Sequence, residues 1–350
     1  MSGKRASVAA AVAGLLAIGG IGAAAANAAT PPTAAPRWHV VKTVPGANAG
    51  AFTAVVATGK STGWAFDAPN GSGPSTAYER QGGTWTRKAF PGLPNEGVTS
   101  AAASSPSNVW AVTSIFAAKS RILRFDGHKW SVITSFTKQV NRVSVRSGND
   151  VWLFGQVGVL HFNGHGWTHV GGGDFLGGSV LSDKDVYAIT PKNVDHFNGH
   201  SWTATSVGSL LPPIIPSGLN HPELVDIIAL SDNNIYATAN GNAQDSGGPI
   251  AVLHFDGHKW TKKAQGGDGY GGSASPDGHG GLWIPMPGAS GEPPFMLHYT
   301  GGKLVTIALP EHATALAIAA IPGTTQQLAG GWIRAKSSPV SAGAVILQYS

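Results

Sequence analysis

Cysteine is absent from the 350-residue chain, which excludes disulfides, thiol catalysis and thiolate metal sites. Charged residues are also scarce, at 12% of the sequence. Without the N-terminal Lys4 and Arg5 the chain keeps 21 basic and 18 acidic residues, a formal net charge of +3, with no long basic run. So weak a charge excludes nucleic acid as a partner. Stability must therefore come from a large apolar core.

A long hydrophobic run occurs only at the N-terminus. Lys4 and Arg5 precede the apolar stretch 8–26, and Ala26-Asn27-Ala28 fits a small-x-small cleavage site. This pattern predicts a signal peptide over 1–28, a linker over 29–36 and an exported chain that is extracellular or associated with the cell envelope. The alternative is an uncleaved segment retained as a membrane anchor, but alanine and glycine dominate it and no basic stop-transfer cluster follows.

Motifs that would name a reaction are also missing. The sequence holds no nucleophile elbow, nucleotide-binding loop or metal-ligand triad. Catalytic residues are therefore unknown at this point, no cofactor is expected, and enzymatic activity is less favoured than binding.

The chain contains four copies of one hairpin sequence motif. The copies are L-R-F-D-G-H-K-W from Leu123, L-H-F-N-G-H-G-W from Leu160, D-H-F-N-G-H-S-W from Asp195 and L-H-F-D-G-H-K-W from Leu253. Asn-Gly and Asp-Gly tolerate the positive φ angles of tight hairpins, so they set the register of the two flanking strands.

A second block precedes each hairpin, a turn of the type S-x-x-D followed by an aromatic-centred strand such as S-G-N-D-V-W-L-F from Ser147. Seven copies can be found, some degenerate, and they are spaced 35 to 49 residues apart. Their aromatic positions are Trp64, Trp110, Trp152, Tyr187, Tyr236, Trp283 and Trp332. A period of this length is typical of a four-stranded propeller blade.

The two ends of the domain are complementary. A Trp strand at about 37–42 has no partner hairpin before it, and an L-x-Y strand at about 343–349 has no Trp strand after it. Pairing the two would complete one blade and close a ring without open sheet edges. The sequence therefore predicts an all-β fold, a single seven-bladed β-propeller over 37–350 built of four-stranded antiparallel blades.

The S-x-x-D-V-W-A-V and F-D-G-x-x-W segments resemble those of exported β-propeller repeat proteins of bacteria, of the kind found in actinobacteria, over about residues 37–350. The resemblance implies the propeller fold and leaves activity open, since propellers serve as lectins, scaffolds, hydrolases and lyases. Sialidase boxes differ in spacing, because Asp126 and Trp130 lie one residue too close. Kelch repeats are matched only loosely, at Gly82-Gly83 and Trp85.

Histidine and tryptophan recur at fixed repeat positions. His161, His196, His254 and His298 share one position, so the ring separates them, and no metal site is expected. The pair His161 and His165 would make only a weak site. The hairpin tryptophans are interpreted as blade packing rather than as sugar-stacking platforms, because they recur in every blade.

Functional residues are expected where the repeats disagree. The connections from second to third strand, and from one blade to the next, emerge at one end of a propeller, and we call that end the loop face. The irregular segments assigned to it are 68–75, 90–97, 171–178, 206–223, 240–249, 266–271, 287–294 and 309–312. The predicted ligand-binding residues are Glu96, Asp174, Phe175, His221, Glu223, Asp268, Tyr270, Glu311 and His312.

Two functions remain open from sequence. The first is a secreted, non-catalytic binding module for an extracellular glycan or protein, most simply a monomer. The second is a glycan-active hydrolase or lyase that uses acidic residues of the same face.

Overall fold

The computed structural model describes residues 35–45, 50–68, 73–115, 119–213, 221–241, 248–271, 273–288, 293–334 and 341–350. The predicted signal peptide and most of the predicted linker lie outside these residues. The described strands form seven four-stranded antiparallel sheets, which confirms the seven-bladed propeller. No helix in the described part of the chain is long and apolar enough to cross a membrane.

The 28 strands follow the chain in order, with β1 (Trp38–Pro45) belonging to the last blade. Blades 1 and 2 are β2 (Ala51–Gly59), β3 (Thr62–Ala68), β4 (Thr76–Gln81), β5 (Thr84–Lys88), and β6 (Glu96–Ser105), β7 (Asn108–Ile115), β8 (Lys119–Phe125), β9 (Trp130–Phe136). Blades 3 and 4 are β10 (Val140–Ser147), β11 (Asp150–Gly155), β12 (Gly158–Phe162), β13 (Trp167–Gly171), and β14 (Gly177–Ser182), β15 (Asp185–Ile189), β16 (Asn193–Phe197), β17 (Trp202–Ser206).

The remaining blades follow the same order. Blade 5 is β18 (Glu223–Ser231), β19 (Asn234–Asn240), β20 (Gly248–Phe255), β21 (Trp260–Gly269). Blade 6 is β22 (Ser275–Pro276), β23 (Leu282–Met286), β24 (Phe295–Thr300), β25 (Lys303–Ala308), and blade 7 is β26 (Ala313–Ala320), β27 (Gln327–Arg334), β28 (Ser341–Tyr349) with β1. A 3₁₀ turn, Gly208–Leu210, follows blade 4.

Ring closure occurs where the sequence predicts it. Strand β1 pairs antiparallel with β28, with Trp38 opposite Tyr349 and Val44 opposite Ala344. The amide of Arg37 also donates to the carbonyl of Ser350, at 3.2 Å. Both chain ends therefore contribute to one sheet, so that blade 7 has its fourth strand.

The repeated hairpins owe their shape to the Asx-Gly pair. Gly127 has a φ of 98°, and Oδ1 of Asp126 accepts the amides of His128 and Lys129 at 2.8 and 2.9 Å. The other three copies use Asn163, Asn198 and Asp256 in the same way. The aspartate or asparagine thus satisfies backbone donors that the tight turn leaves unpaired.

Tryptophans of neighbouring blades pack edge to face. Trp130 of blade 2 meets Trp64 of blade 1 at 5.2 Å and 90°, and Trp38 meets Trp283 of blade 6 at 5.6 Å and 89°. Trp64 and Trp130 are 1% and 8% exposed. The rings join the blades, in agreement with the packing interpretation.

Two assignments made from the sequence are wrong, one in strand register and one in the extent of a strand. Leu328, not Trp332, occupies the seventh aromatic position, because Leu328 pairs with Gln348 just as Trp152 pairs with His161. The segment 266–271 is also not a loop throughout, since β21 continues to Gly269 opposite Gly248. A degenerate repeat copy hid the register at Leu328, whereas the end of β21 was assigned to a loop because three of the four residues 266–269 are glycine.

Candidate functional site

The first strand of each blade is innermost and contacts the first strands of neighbouring blades around the axis. The second strand of each blade ends, and the third begins, at the loop face, as do the fourth strand and the first strand of the next blade. The opposite end, which we call the turn face, carries the S-x-x-D turns and the Asx-Gly hairpins.

The predicted loop-face residues divide into exposed and buried ones. Asp174, His221, Asp268 and Glu311 are exposed, whereas Glu223, Tyr270 and His312 are half-buried. Within this set, Nε2 of His312 lies 3.1 Å from Oε1 of Glu311. Burial raises the pKa of Glu223, and the charge of His221 partly offsets that effect. Their assignment to a ligand stays a prediction.

Glu96 is not exposed on the loop face, and its side chain is fully buried. Its carboxylate accepts two hydrogen bonds from the guanidinium of Arg121, one from Thr113 at 2.6 Å and one from the amide of Leu93 at 3.0 Å. Burial acts to raise the pKa of Glu96, but these donors outweigh it and hold the pKa below its ordinary value. The geometry thus gives Glu96 a structural role.

Phe175 is also buried, at 3% exposed, and stacks on Trp202 at 6.0 Å. It belongs to the core cluster that joins blades 3 and 4 around Trp152 and Phe154. The sequence marked Phe175 because it lies in an irregular loop, and the structure shows that its ring packs between two blades.

An ion pair that sequence reasoning missed crosses the axial channel. Arg142 of blade 3 donates to Asp226 of blade 5 at 2.6 Å and to Oγ of Ser273 at 3.1 Å. Asp226 is 2% exposed and also accepts the amide of Ala274 at 2.8 Å. In sequence, Arg142 looks like an ordinary polar residue of a strand. One sequence signal could have revealed the pair. Two of the innermost strands, β10 and β18, carry charges of opposite sign, Arg142 and Asp226, near the same end.

The carboxyl group of Asp67 is buried near the loop face of blade 1. The residue is 7% exposed; among the described residues its Oδ1 has no hydrogen-bond partner, and Oδ2 accepts a long bond from Thr76 at 3.4 Å. Burial raises the pKa of Asp67 from 3.8 to about 6. The folded protein therefore favours the protonated form of the Asp67 carboxyl group more than the unfolded chain does.

Replacing Asp67 by asparagine is expected to stabilise the protein above pH 6 by up to about 3 kcal/mol, the equivalent of the raised pKa. The pKa of Asp67 is higher in the folded than in the unfolded protein. Its contribution to the free energy of unfolding of the wild type is therefore fully present below about pH 4 and is lost as the pH rises through about 6. Denaturant unfolding from pH 4 to 8 measures the change. Asp174→Asn, at an exposed carboxylate, is the control, and equal pH profiles for Asp67→Asn and wild type would contradict the assignment.

On the turn face, four histidines are held by the repeat itself. His161 stacks on Trp152 at 4.1 Å, and its Nε2 lies 3.1 Å from Oδ1 of Asp150. The other three occupy the same position against Asp185, Asn234 and Asp277. Each of these rings also lies against the aromatic residue of the second strand, while in blade 6 the acid Asp277 comes from the turn after the first strand, so all four histidines are held within their own blade.

One acidic group on this face has the ligand types of a metal site. Oxygens of Asp150 and Asp183 lie within 4.8 Å of each other and of a ring nitrogen of His161. The Nη1 atom of Arg146, however, donates to Asp150 at 2.7 Å and to Asp183 at 2.5 Å. The guanidinium already supplies the cation that these carboxylates require.

Asp195 departs from the repeat at a position that faces the core. It stands where Leu160 and Leu253 fill the core of other blades, yet its Oδ1 is buried and has no hydrogen-bond partner in the part of the chain that the structure describes. Burial raises the pKa of Asp195.

The substitution Asp195→Leu is expected to raise the free energy of unfolding by about 1–3 kcal/mol, since leucine has nearly the same shape and removes an unsatisfied buried oxygen. Denaturant unfolding at pH 7 measures it. Asp195→Asn should gain less, because a polar amide stays buried. A loss of stability in Asp195→Leu would show that the carboxyl group is needed there.

Two cavities lie at equivalent positions between successive blades, one between blades 1 and 2 and the other between blades 4 and 5. The larger, about 550 Å³, is framed by Trp64 of blade 1 and by Phe125 and Trp130 of blade 2. The smaller, about 350 Å³, is framed by Tyr187 of blade 4 and by Phe255 and Trp260 of blade 5. The polar rim of the first cavity contains two lysines, whereas that of the second contains two aspartates and no lysine. The rim residues are Glu79, Gln81, Lys88, His128 and Lys129 in the first cavity, and Asp185, His196, Thr203, Thr205 and Asp232 in the second.

No family model and no curated protein matches the chain. Solved structures share its fold. "YCF48 bound to D1 peptide" has a TM-score of 0.60 at 13% identity, covering 92% of this chain and 99% of that one. YCF48 from Cyanidioschyzon merolae has a TM-score of 0.58 at 15% identity, covering 89% and 98%. The WD40 propeller domain of Doa1 has a TM-score of 0.61 at 10% identity, covering 89% and 96%. At these identities the likeness establishes the propeller fold alone.

Proposed function

We propose that this chain is an exported, non-catalytic binding module whose ligand is a segment of another polypeptide. The observation that carries the proposal is the pair of inter-blade cavities, each with aromatic walls and a charged rim. Such recesses suit the mixed apolar and polar side chains of a peptide. A peptide-bound propeller of the same fold, YCF48 with the D1 peptide, adds support.

The orientation of the rings favours a polypeptide over a glycan. Sugar binding by stacking needs an accessible flat ring, whereas Trp64 and Trp130 are nearly perpendicular to each other and almost wholly buried. A peptide side chain needs only an apolar wall and a polar rim. The loop face, with exposed Asp174, Asp268 and Glu311, is the second surface proposed for a partner.

The test is selection of peptides from a random phage-displayed library on residues 29–350. We expect peptides that bind with micromolar dissociation constants by calorimetry. Alanine substitution of Lys129 and of Asp174 would then distinguish the cavity between blades 1 and 2 from the loop face.

A glycan array and chromogenic glycosides are assayed with the same protein sample. If no peptide is selected while glycans bind, the polypeptide proposal is wrong. Glycoside turnover that disappears in Glu223→Ala or Asp174→Ala would instead establish the hydrolase alternative.

A further inference from the structure

Blades 3 and 4 place the same acidic constellation at their junctions with the following blade. Asp185 corresponds to Asp150 and His196 to His161, because each aspartate pairs with the serine of its turn and each histidine pairs with the central aromatic residue. Asp232 occupies in the turn of blade 5 the position that Asp183 occupies in the turn of blade 4. The chain thus carries two versions of one site.

The two versions differ in one residue. Arg146 is the extra residue of a β-bulge between Val145 and Ser147, and Leu181 is the extra residue of the same bulge in blade 4. At the first junction the guanidinium of Arg146 lies between the two carboxylates. At the second junction Leu181 packs into the apolar cluster shared by blades 4 and 5 and supplies no charge.

The second site is consequently acidic, and its bulge residue brings no guanidinium to it. Asp185 approaches His196 at 2.6 Å, and among the described residues no lysine or arginine is ion-paired with Asp185 or Asp232. A hydrogen bond with Asp185, and then the charge of that neighbouring carboxylate, raises the pKa of Asp232. Burial, and then the hydrogen bond and charge of Asp185, raise the pKa of Tyr187, so that its hydroxyl stays protonated.

These carboxylates line the cavity of about 350 Å³ between blades 4 and 5, together with Tyr187, Thr203 and Trp260. An arginine side chain could place its guanidinium against the acids while its methylene groups contact the aromatic walls. The planar guanidinium is also the cation that the first junction already uses.

Resting on the proposed function, we infer that the cavity between blades 4 and 5 binds the guanidinium group of an arginine in the partner polypeptide, at the position that Arg146 fills in the preceding blade.

The probe is the peptide acetyl-Gly-Arg-Gly-amide, compared with the same peptide carrying neutral citrulline. Binding is followed by the indole NMR signal of Trp260, assigned with Trp260→Phe. We expect a saturable shift with the arginine peptide and none with citrulline. Asp185→Asn and Asp232→Asn should each weaken binding at least about tenfold. Asp185→Asn keeps the histidine contact, since Asn234 holds His254 in blade 5.

Exchange of the single differing residue gives the sharper comparison. Leu181→Arg should fill the site from within and abolish the Trp260 shift. Arg146→Leu should open the first junction, so that the signal of Trp202, in the hairpin of blade 4, now responds to the arginine peptide. A Trp260 signal that ignores the arginine peptide in the folded wild type, or that responds equally in Leu181→Arg, would overturn the inference. Library peptides that still bind in that case would leave the proposed function intact.

Discussion

The substitution Arg121→Met is expected to lower the free energy of unfolding at pH 7 by about 3–5 kcal/mol, because it leaves the Glu96 carboxylate buried without its cation. The side chain of Glu96 has no solvent exposure and that of Arg121 has 15%, so water cannot replace the guanidinium. Methionine keeps most of the apolar contact of the arginine stem. Denaturant or thermal unfolding measures the loss.

The pH dependence separates this cause from simple loss of packing. In wild type the pKa of Glu96 lies below its ordinary value, so its contribution is full above about pH 4.5 and is lost as the pH falls through the folded pKa. In Arg121→Met burial dominates and raises the pKa of Glu96, so the deficit should shrink as the pH is lowered toward 4–5. A deficit that is the same at pH 4.5 and pH 8 would mean that the charge is irrelevant. Lys88→Met, at a more exposed pair with Glu79, should cost less than about 1 kcal/mol.

The substitution Arg142→Met is expected to cost about 3–5 kcal/mol, because Asp226 is 2% exposed and loses its cation across the channel. The pair also links blade 3 to blade 5, two sheets that are not neighbours in the ring. Its loss should therefore raise amide hydrogen exchange in β10 and β18 as well as lower the unfolding midpoint.

A double variant tests whether the pair acts as a unit. Arg142→Met with Asp226→Asn should recover part of the loss, because the uncompensated charge is gone while the asparagine oxygen can still accept the amide of Ala274. If the loss of stability in the double variant equals the sum of the losses in Arg142→Met and Asp226→Asn, the two residues do not interact in the folded protein.

Much of the fold could be predicted because local chemistry repeats. Asp126-Gly127 and its three counterparts specify tight hairpins from adjacent residues alone, and the spacing of Trp64, Trp110 and Trp152 sets the blade length. The complementary segments around Val40 and Leu347 predicted ring closure for the same reason. Pattern matching failed at Trp332, where the degenerate copy offered an aromatic residue four positions away from the correct register.

The functional surfaces could not be predicted in the same way, since they depend on residues far apart in sequence. Glu96 begins strand β6 and Phe175 lies in an irregular segment, and the two side chains are enclosed by Arg121 and Trp202. The channel pair joins positions 84 residues apart, and neither strand alone indicates where its charged side chain ends.

The sequence by itself determined the number of blades, the turns within them and the strand that closes the ring, because these depend on backbone preferences and periodic apolar residues. Only the tertiary structure decided which charges meet. Whether a carboxylate lies against a guanidinium, as Asp150 does against Arg146, or pairs with no lysine or arginine among the described residues, as Asp185 does, depends on a neighbouring blade and on one residue of a bulge. Electrostatic energy is governed by distance and burial in space, and sequence separation specifies neither.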